Sequence, residues 1–206
     1  MDKETLRKIY LARRKALSPQ EVSWAGFQAL SRLEKLPIWD KSCYHIFLSI
    51  QKLNELHTQP IIDRLFALGR QVVIPRSNFS KLSMESCIWT RDEPLQLNAY
   101  EIHEPLGDKT VDPFSIDVIF VPLLVFDKEG YRVGYGKGFY DRFLTLCRAD
   151  VLKIGLSLFD PLDQITDIHS ADVSLNVAIS PKEVHIFDTA LAEEISESVP
   201  TQNDYH

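Results

Sequence analysis

Residues 132 to 143 read RVGYGKGFYDRF and set three glycines, three cationic side chains and one carboxylate within twelve positions. Each glycine raises the entropy lost on ordering, so the cluster needs a reason beyond folding. Backbone N–H groups converge on an anion only where no side chain blocks them, and a helix N-terminus adds a favourable dipole. Gly134, Gly136 and Gly138 supply open backbone; Arg132 and Lys137 supply charge. The stretch suits a cradle for a polyphosphate, and its plainer alternative is a tight turn needing positive φ. Two familiar phosphate loops are not matched. Lys137 is followed by Gly138 instead of Ser or Thr, and the spacing is G-x-G-x-G late in the chain instead of G-x-G-x-x-G near a first strand.

Asp141 follows three residues after the last of these glycines. In the first turn of a helix a carboxylate acts as cap or dipole partner. Beside a nucleotide it can hold magnesium, which takes one or two carboxylates and keeps several waters. Residue types alone leave both roles open. No G-x-S-x-G elbow and no Cys–His constellation offers a side-chain nucleophile.

The 206-residue chain is 45% hydrophobic and 25% charged, ordinary for a soluble globular protein. Its formal net charge of -6 discourages nucleic acid and anionic lipid, so an anionic ligand must be caught by a local arrangement of donors. Cys43, Cys87 and Cys147 form an odd, widely spaced set that signals neither zinc nor a disulfide framework. No apolar run reaches the roughly eighteen residues of a membrane span, and the opening MDKETLRK lacks a secretory stretch. A reduced, cytoplasmic protein is the expectation.

The elements that must position the glycine loop follow from pattern. Leu6, Ile9 and Tyr10 recur at helical spacing near the start. "LSPQEV" opens a second helix with Ser18 as cap, Pro19 at the first turn and Glu21 closing the box; it is expected to run to about Leu36. "CYHIFLSI" (43–50) reads as a buried strand, Thr58 opens a helix closed by Gly69, and "QVVIP" (71–75) is the next strand. Strand, helix, strand with short joints is the crossover unit of a parallel sheet. "LSMESCIW" (82–89) reads as a strand, 94–113 as loop, and "DVIFVPLLVFD" (117–127) as a strand bent at Pro122. A return strand "YRV" leads into the glycines and a helix "FYDRFLTLCRA"; "LKIGLSL", "NVAISP" and "VHIFD" give three more strands. One α/β domain over 1–188 is expected, with 189–206 an acidic, polar tail that frays or stays disordered.

With these residues in view, the chain resembles the 5-formyltetrahydrofolate cyclo-ligase family, also called 5,10-methenyltetrahydrofolate synthetases, over roughly residues 3 to 180. The strongest part is "FDKEGYRVGYGKGFYDRFL" (126–144), supported in order by "KETLR", "LSPQE", "IFLSI" with "ELHT", "VVIPR" and "IHSADV". The resemblance implies a three-layer α/β/α sandwich with a mostly parallel central sheet, similar in topology to sugar-phosphate isomerases and CoA transferases. It implies a monomer that takes magnesium-ATP and 5-formyltetrahydrofolate, with neither nucleic acid nor membrane as partner. ATP would phosphorylate the formyl oxygen and folate nitrogen 10 would attack the activated carbon. 5,10-Methenyltetrahydrofolate, ADP and phosphate would leave. A sugar-phosphate isomerase or CoA transferase of like topology, or a non-catalytic folate-binding protein, are the alternatives.

Residue by residue, the resemblance assigns ATP contacts to Lys3, Glu4, Thr5, Leu6 and Arg7 on the first helix, where the plainer alternative is a solvated basic face. It assigns the nucleotide loop to Arg132, Val133, Gly134, Tyr135, Gly136, Lys137, Gly138, Phe139 and Tyr140, with Tyr135 to Phe139 also against the folate. Arg132, Lys137 and Asp141 are the implied catalytic set, and Asp141 with Asp172 the implied magnesium ligands, Asp167 being the neighbouring competitor. Glu55 is implied to bind the pterin, a carboxylate suiting two adjacent N–H donors. Leu48 supplies an apolar wall, and Tyr100 either stacks on folate or serves the core. Arg76 faces ligand phosphate or caps a strand end. Three departures stand out: a longer stretch before Glu55, His57 where relatives often carry an acid, and Tyr135 where some carry arginine. The second gives no support to a general base at 57, and the third removes a charge from the cradle.

Overall fold

The computed structural model describes residues 1–198. Helix α1 (Lys3–Lys15) starts at Asp2, whose carboxylate accepts the Thr5 N–H. Helix α2 (Pro19–Leu33) carries the full capping box between Ser18 and Glu21. It stops short of Leu36 because the chain tightens: the Leu33 carbonyl takes both the Leu36 N–H and the Trp39 indole N–H.

Strand β1 (Cys43–His45), helix α3 (Gln59–Ala67) and strand β2 (Gln71–Asn78) form the crossover, with Tyr44 opposite Val72 in a parallel register. Alone, the nine residues of α3 would be marginal as a helix; burial of Ile61, Ile62 and Leu65 stabilises it, each by about 1.5–3 kcal/mol. Gly69, at φ +66, ends it and lets the Arg70 N–H return to the Leu65 carbonyl. β1 is shorter than the apolar run 43–50. After Ile46 donates to the Val73 carbonyl, the chain leaves the sheet, and 47–58 closes into a loop through Ser49 and Thr58. The Thr58 hydroxyl thus serves the Phe47 carbonyl (2.9 Å) and not the N-terminus of α3.

Strand β3 (Ser83–Ile88) returns antiparallel to β2. The stretch that looks loop-like in sequence holds a hairpin, β4 (Leu95–Leu97) with β5 (His103–Pro105), and then β6 (Thr110–Val111) on the β3 edge. Strand β7 (Val118–Pro122) ends at its proline, and β8 (Val125–Phe126) pairs with β9 (Arg132–Val133) outside the main sheet. Helix α4 (Phe139–Leu144) is shorter than the expected 139–149, and β10 (Leu152–Leu156), β11 (Val177–Ile179) and β12 (Val184–Ile186) complete the sheet. Helix α5 (Thr189–Ser198) occupies the start of the acidic tail, and Leu191 and Ile195 pack on the core; residues 199–206 lie outside the described residues.

The eight-stranded sheet runs β12-β11-β10-β7-β1-β2-β3-β6, parallel from β11 to β2 and antiparallel at its edges. Both faces are covered, as near-continuous apolar strands require. Tyr44, Phe120 and Ile154 meet α2 and α3 on one side, while Val73, Ile119 and Val121 meet Phe143 and Leu144 of α4 on the other. A third cluster seats Leu6 and Tyr10 of α1 on Val125 and Val133. The result is a three-layer α/β/α arrangement with a mostly parallel sheet. From β1 the chain crosses to β2 on one side; from β7 it crosses to β10 on the other. The crevice beyond the carboxyl ends of β1 and β7 is therefore the topological switch point, where open α/β sheets bind ligands.

Helix α2 reaches this crevice indirectly. At Gly26 an added Cβ would overlap the His57 carbonyl oxygen, so the helix rests directly on the backbone that presents Glu55. Gly26→Ala is expected to destabilise the protein by about 2–3 kcal/mol, a fall in Tm of roughly 4–12 °C for a chain of this size. Thermal unfolding followed by circular dichroism measures it; an unchanged Tm would contradict so close a contact.

Candidate functional site

A cavity of about 430 Å³ opens at the switch point. Its walls come from the glycine loop, the start of α1, the 47–55 segment that follows β1, and the β4–β5 hairpin. The loop is held from below by Asp127, a fully buried carboxylate that accepts the Glu129, Tyr131 and Ile165 N–H groups.

The three glycines serve different needs. Gly136 (φ +85) and Gly138 (φ +64) occupy the left-handed region, and Gly138 is the N-cap of α4. The Arg7 guanidinium lies over Gly136, its Cζ 3.0 Å from where a Cβ would stand, and Arg7 Nε donates to the Gly134 carbonyl at 3.0 Å. Gly134 has no positive φ, and a Cβ there would meet nothing within 4 Å. The turn explanation covers two of the glycines. The third is bare backbone facing open cavity.

Charge enters from both sides of the loop. Arg132 is 9% exposed; it donates to Asp141 at 2.8 Å and to the Val173 carbonyl. Asp141 Oδ1 also accepts the Val173 N–H, and its Oδ2 takes no hydrogen bond from the described residues. Asp172 is built alike: one oxygen takes the Lys3 ammonium and the His169 N–H, and the other takes no hydrogen bond from the described residues. Burial pushes the Asp172 carboxyl up, but that N–H and the Lys3 charge outweigh it and hold its pKa below the usual range. Asp167 accepts the Lys3 backbone N–H at 2.7 Å and does not line the cavity. Among the described residues no group of three or more His, Cys, Asp or Glu is arranged to hold a metal alone. Two half-used carboxylates fit a magnesium ion that arrives with phosphates and keeps its waters. Lys137 lines the cavity, exposed, and makes no ion pair among the described residues.

Of the five N-terminal candidates, only Lys3 and Arg7, four apart and so on one helix face, reach the cavity. Glu4 pairs with Lys8 in solvent, Thr5 caps the helix with Asp2, and Leu6 is fully buried. Val133 is likewise core, so its side chain contributes no cavity wall.

Opposite the cations, Glu55 is 4% exposed and is fixed by the Ile50 N–H at 2.9 Å on Oε2 and by the Tyr135 hydroxyl on Oε1. Burial raises its pKa above the usual carboxylate range, against the pull of those donors and of Arg14. Leu48 lines the cavity beside it. Tyr100 is 53% exposed, which excludes a core role; it stacks on Phe79 at 3.7 Å, and Phe79 meets Phe139 edge-on at 5.3 Å. Phe79, Ile102 and His103 line the cavity without having been expected, since neither Phe79 nor the weakly patterned hairpin segment carries a motif. Lys52 pairs with Glu101 and the Ser77 N–H donates to Glu104, so the hairpin is tied down on both sides. Tyr140 lines the cavity and lies 3.4 Å from His45 Nε2. Burial pulls the His45 pKa down to about 3, leaving the ring neutral. Arg76 pairs with Glu85 at 2.9 Å and donates to the Gly107 carbonyl, away from the cavity, and His57 is not part of the lining.

The 5-formyltetrahydrofolate cyclo-ligase family model matches residues 1–188. The chain is 38% identical over 177 residues to the 5-formyltetrahydrofolate cyclo-ligase of Escherichia coli strain K12, covering 84% of this chain and 96% of that one. Among solved structures it is similar to the 5,10-methenyltetrahydrofolate synthetase of Aquifex aeolicus, with a TM-score of 0.78, 27% identity, and 91% and 93% of the two chains covered. It is also similar to that of Mycoplasma pneumoniae, at 0.69, 28% identity, and 87% and 98% covered. Match, fold and cavity agree: the chain belongs to the 5-formyltetrahydrofolate cyclo-ligase family.

Proposed function

We propose that the protein cyclises 5-formyltetrahydrofolate to 5,10-methenyltetrahydrofolate at the expense of ATP, as a cytoplasmic monomer whose catalytic unit spans residues 1–188. One observation carries this: a single cavity puts open backbone, unpaired cationic charge and two half-used carboxylates opposite a buried glutamate with an apolar wall. A formamide carbon is a poor electrophile because nitrogen donates into the carbonyl, and oxide is a poor leaving group. Phosphorylating the formyl oxygen repairs both faults, and attack by nitrogen 10 then expels phosphate.

No side-chain nucleophile is required, so the protein's tasks are positioning and charge. The Gly134 backbone, Arg7 and Lys3 would hold the triphosphate, and Lys137 would neutralise the phosphoryl group in transfer. Asp141 and Asp172 would hold magnesium, which supplies Lewis-acid neutralisation of phosphate oxygens. Arg132, locked by Asp141 and the Val173 carbonyl, would orient the first of these carboxylates. Glu55 would accept the 2-amino and adjacent ring N–H of the pterin, with Leu48 against its face. The Phe79–Tyr100–Phe139 cluster would cover the folate and keep water from the phosphorylated intermediate.

Absorbance at the methenyl band, followed with 5-formyltetrahydrofolate, magnesium and ATP, is expected to rise only when ATP is present; a rise without ATP, or none, rejects the assignment. Lys137→Ala and Asp141→Ala are each expected to cost about 2–4 kcal/mol of transition-state stabilisation, and undiminished kcat/KM in both would make the loop merely structural. Gly134→Ala separates binding from folding. Its unfolding free energy should stay within about 0.5 kcal/mol of the parent while the KM for ATP rises roughly tenfold, about 1.4 kcal/mol; an unchanged KM would remove the nucleotide from this backbone. Glu55→Gln should mainly raise the KM for folate, and an unaltered value would take Glu55 out of the pterin site.

A further inference from the structure

Arg14 stands where an amphipathic helix should be apolar. It follows Leu6 and Tyr10 on the buried stripe of α1 and is itself 2% exposed. Its Nε has no hydrogen-bond partner, and Nη2 donates to the Tyr135 hydroxyl, over whose ring the guanidinium lies at 5.1 Å. Arginine has no acceptor, so the phenol proton must point elsewhere, and it points at Glu55 Oε1. The buried cation and the buried carboxylate therefore meet only through a phenol. Burying either charge alone is costly, and this bridge is what relieves both. A second tie repeats the link: the Asn54 amide, from a residue at φ 47, donates to the Arg14 and Leu17 carbonyls at 3.1 and 2.9 Å. The end of α1 is thus fastened to the residue before Glu55.

We propose that Arg14 is a positioning residue for the cyclisation, holding Glu55 as a carboxylate in the folate wall through the Tyr135 hydroxyl and thereby locking that wall to the nucleotide loop. This deepens the folate reading above and rests on it. The groups acting on Glu55 are Tyr135 from the glycine loop, Arg14 from α1, the Tyr140 phenol from α4 and the Ile50 N–H from its own loop. Burial raises the Glu55 pKa; Tyr135, Ile50 and Arg14 pull it down. A group with a raised pKa loses its charged carboxylate as pH falls through that value. Removing Arg14 moves the loss to higher pH.

Calorimetric titration of the full chain with 5-formyltetrahydrofolate, without nucleotide, from about pH 5.5 to about 8.5 tests this. In Arg14→Met the pH at which affinity begins to fall should rise by about one unit, a roughly tenfold loss at the acid end relative to the parent. Arg14→Lys should recover part of the shift, because it keeps the charge without the planar fork. A variant whose affinity is lower by the same factor at every pH overturns the proposal, since that is what a purely structural arginine would give. Should Arg14→Met fail to fold, Tyr135→Phe breaks the same bridge and must move the profile the same way; an unmoved profile is equally fatal. Parent protein that binds no 5-formyltetrahydrofolate defeats the folate reading itself, whereas parent binding with unmoved variant profiles defeats only the role of Arg14.

Discussion

The ion pair between buried Arg132 and half-buried Asp141 is the constraint on which the site depends. Arg132 opens β9, the strand that leads into the glycine loop, and Asp141 lies in the first turn of α4, so their contact closes the glycine loop into a ring. Val173 joins the same knot from both sides, its carbonyl on Arg132 and its N–H on Asp141. Its neighbour Asp172 then grips Lys3, which brings in the start of α1. Arg132 is the buried member, its side chain 5% exposed against 31% for Asp141, so losing Asp141 would strand the guanidinium whereas losing Arg132 would leave a carboxylate that water still reaches. What the pair contributes is geometry: loop, acid segment and first helix cannot move independently.

The sheet determines where that knot lies. Because β1 hands the chain to β2 on one side and β7 hands it to β10 on the other, the segments after Ile46 and after Pro122 must diverge. Divergence opens the crevice; the aromatic hairpin β4–β5 and the glycine loop then form its two lips. Phe79 and Phe139 touch across this gap, one following β2 and the other opening α4. The position of the cavity is therefore a property of the strand order before it is a property of any one side chain.

Caps, stops and the β1–α3–β2 crossover were legible in the sequence, whereas the cavity wall, the β4–β5 hairpin and the choice of individual side chains were not. The Ser18–Glu21 box, the Gly69 stop and the break at Pro122 depend on neighbours a few residues away, and each is present. The apolar run 43–50 reads as a strand throughout, yet Phe47 and Leu48 lie beyond β1, packed between the core and the cavity, and periodicity cannot tell a sheet from a wall. The β4–β5 hairpin was invisible because its turn rests on the Asn98 carboxamide accepting the Tyr100 and Ile102 N–H groups and on Glu101 at φ 58. The motif at residues 3–7 marks a segment, but only the helix phase separates Lys3 and Arg7 from their neighbours. Arg14 lay outside every motif; its signal was a cation at the Leu6–Tyr10 spacing.

Tyr135 shows how a neutral side chain in the loop can still be tied to a charge. The loop segment 133–136 carries no cation of its own. The guanidinium of Arg14 is nonetheless one hydrogen bond away, delivered by α1 to the same phenol. That phenol is committed to Glu55, so position 135 lies on the Glu55 side of the cavity, and Phe139 turns toward Phe79. Lys137, between them, lines the cavity and makes no ion pair among the described residues. Backbone without side chains at 134, 136 and 138 and this division of the residues between them would, on the proposed reading, let one short loop face two different substrates. The polyphosphate would meet amides and the Lys137 ammonium; the folate would meet rings and a carboxylate held from behind.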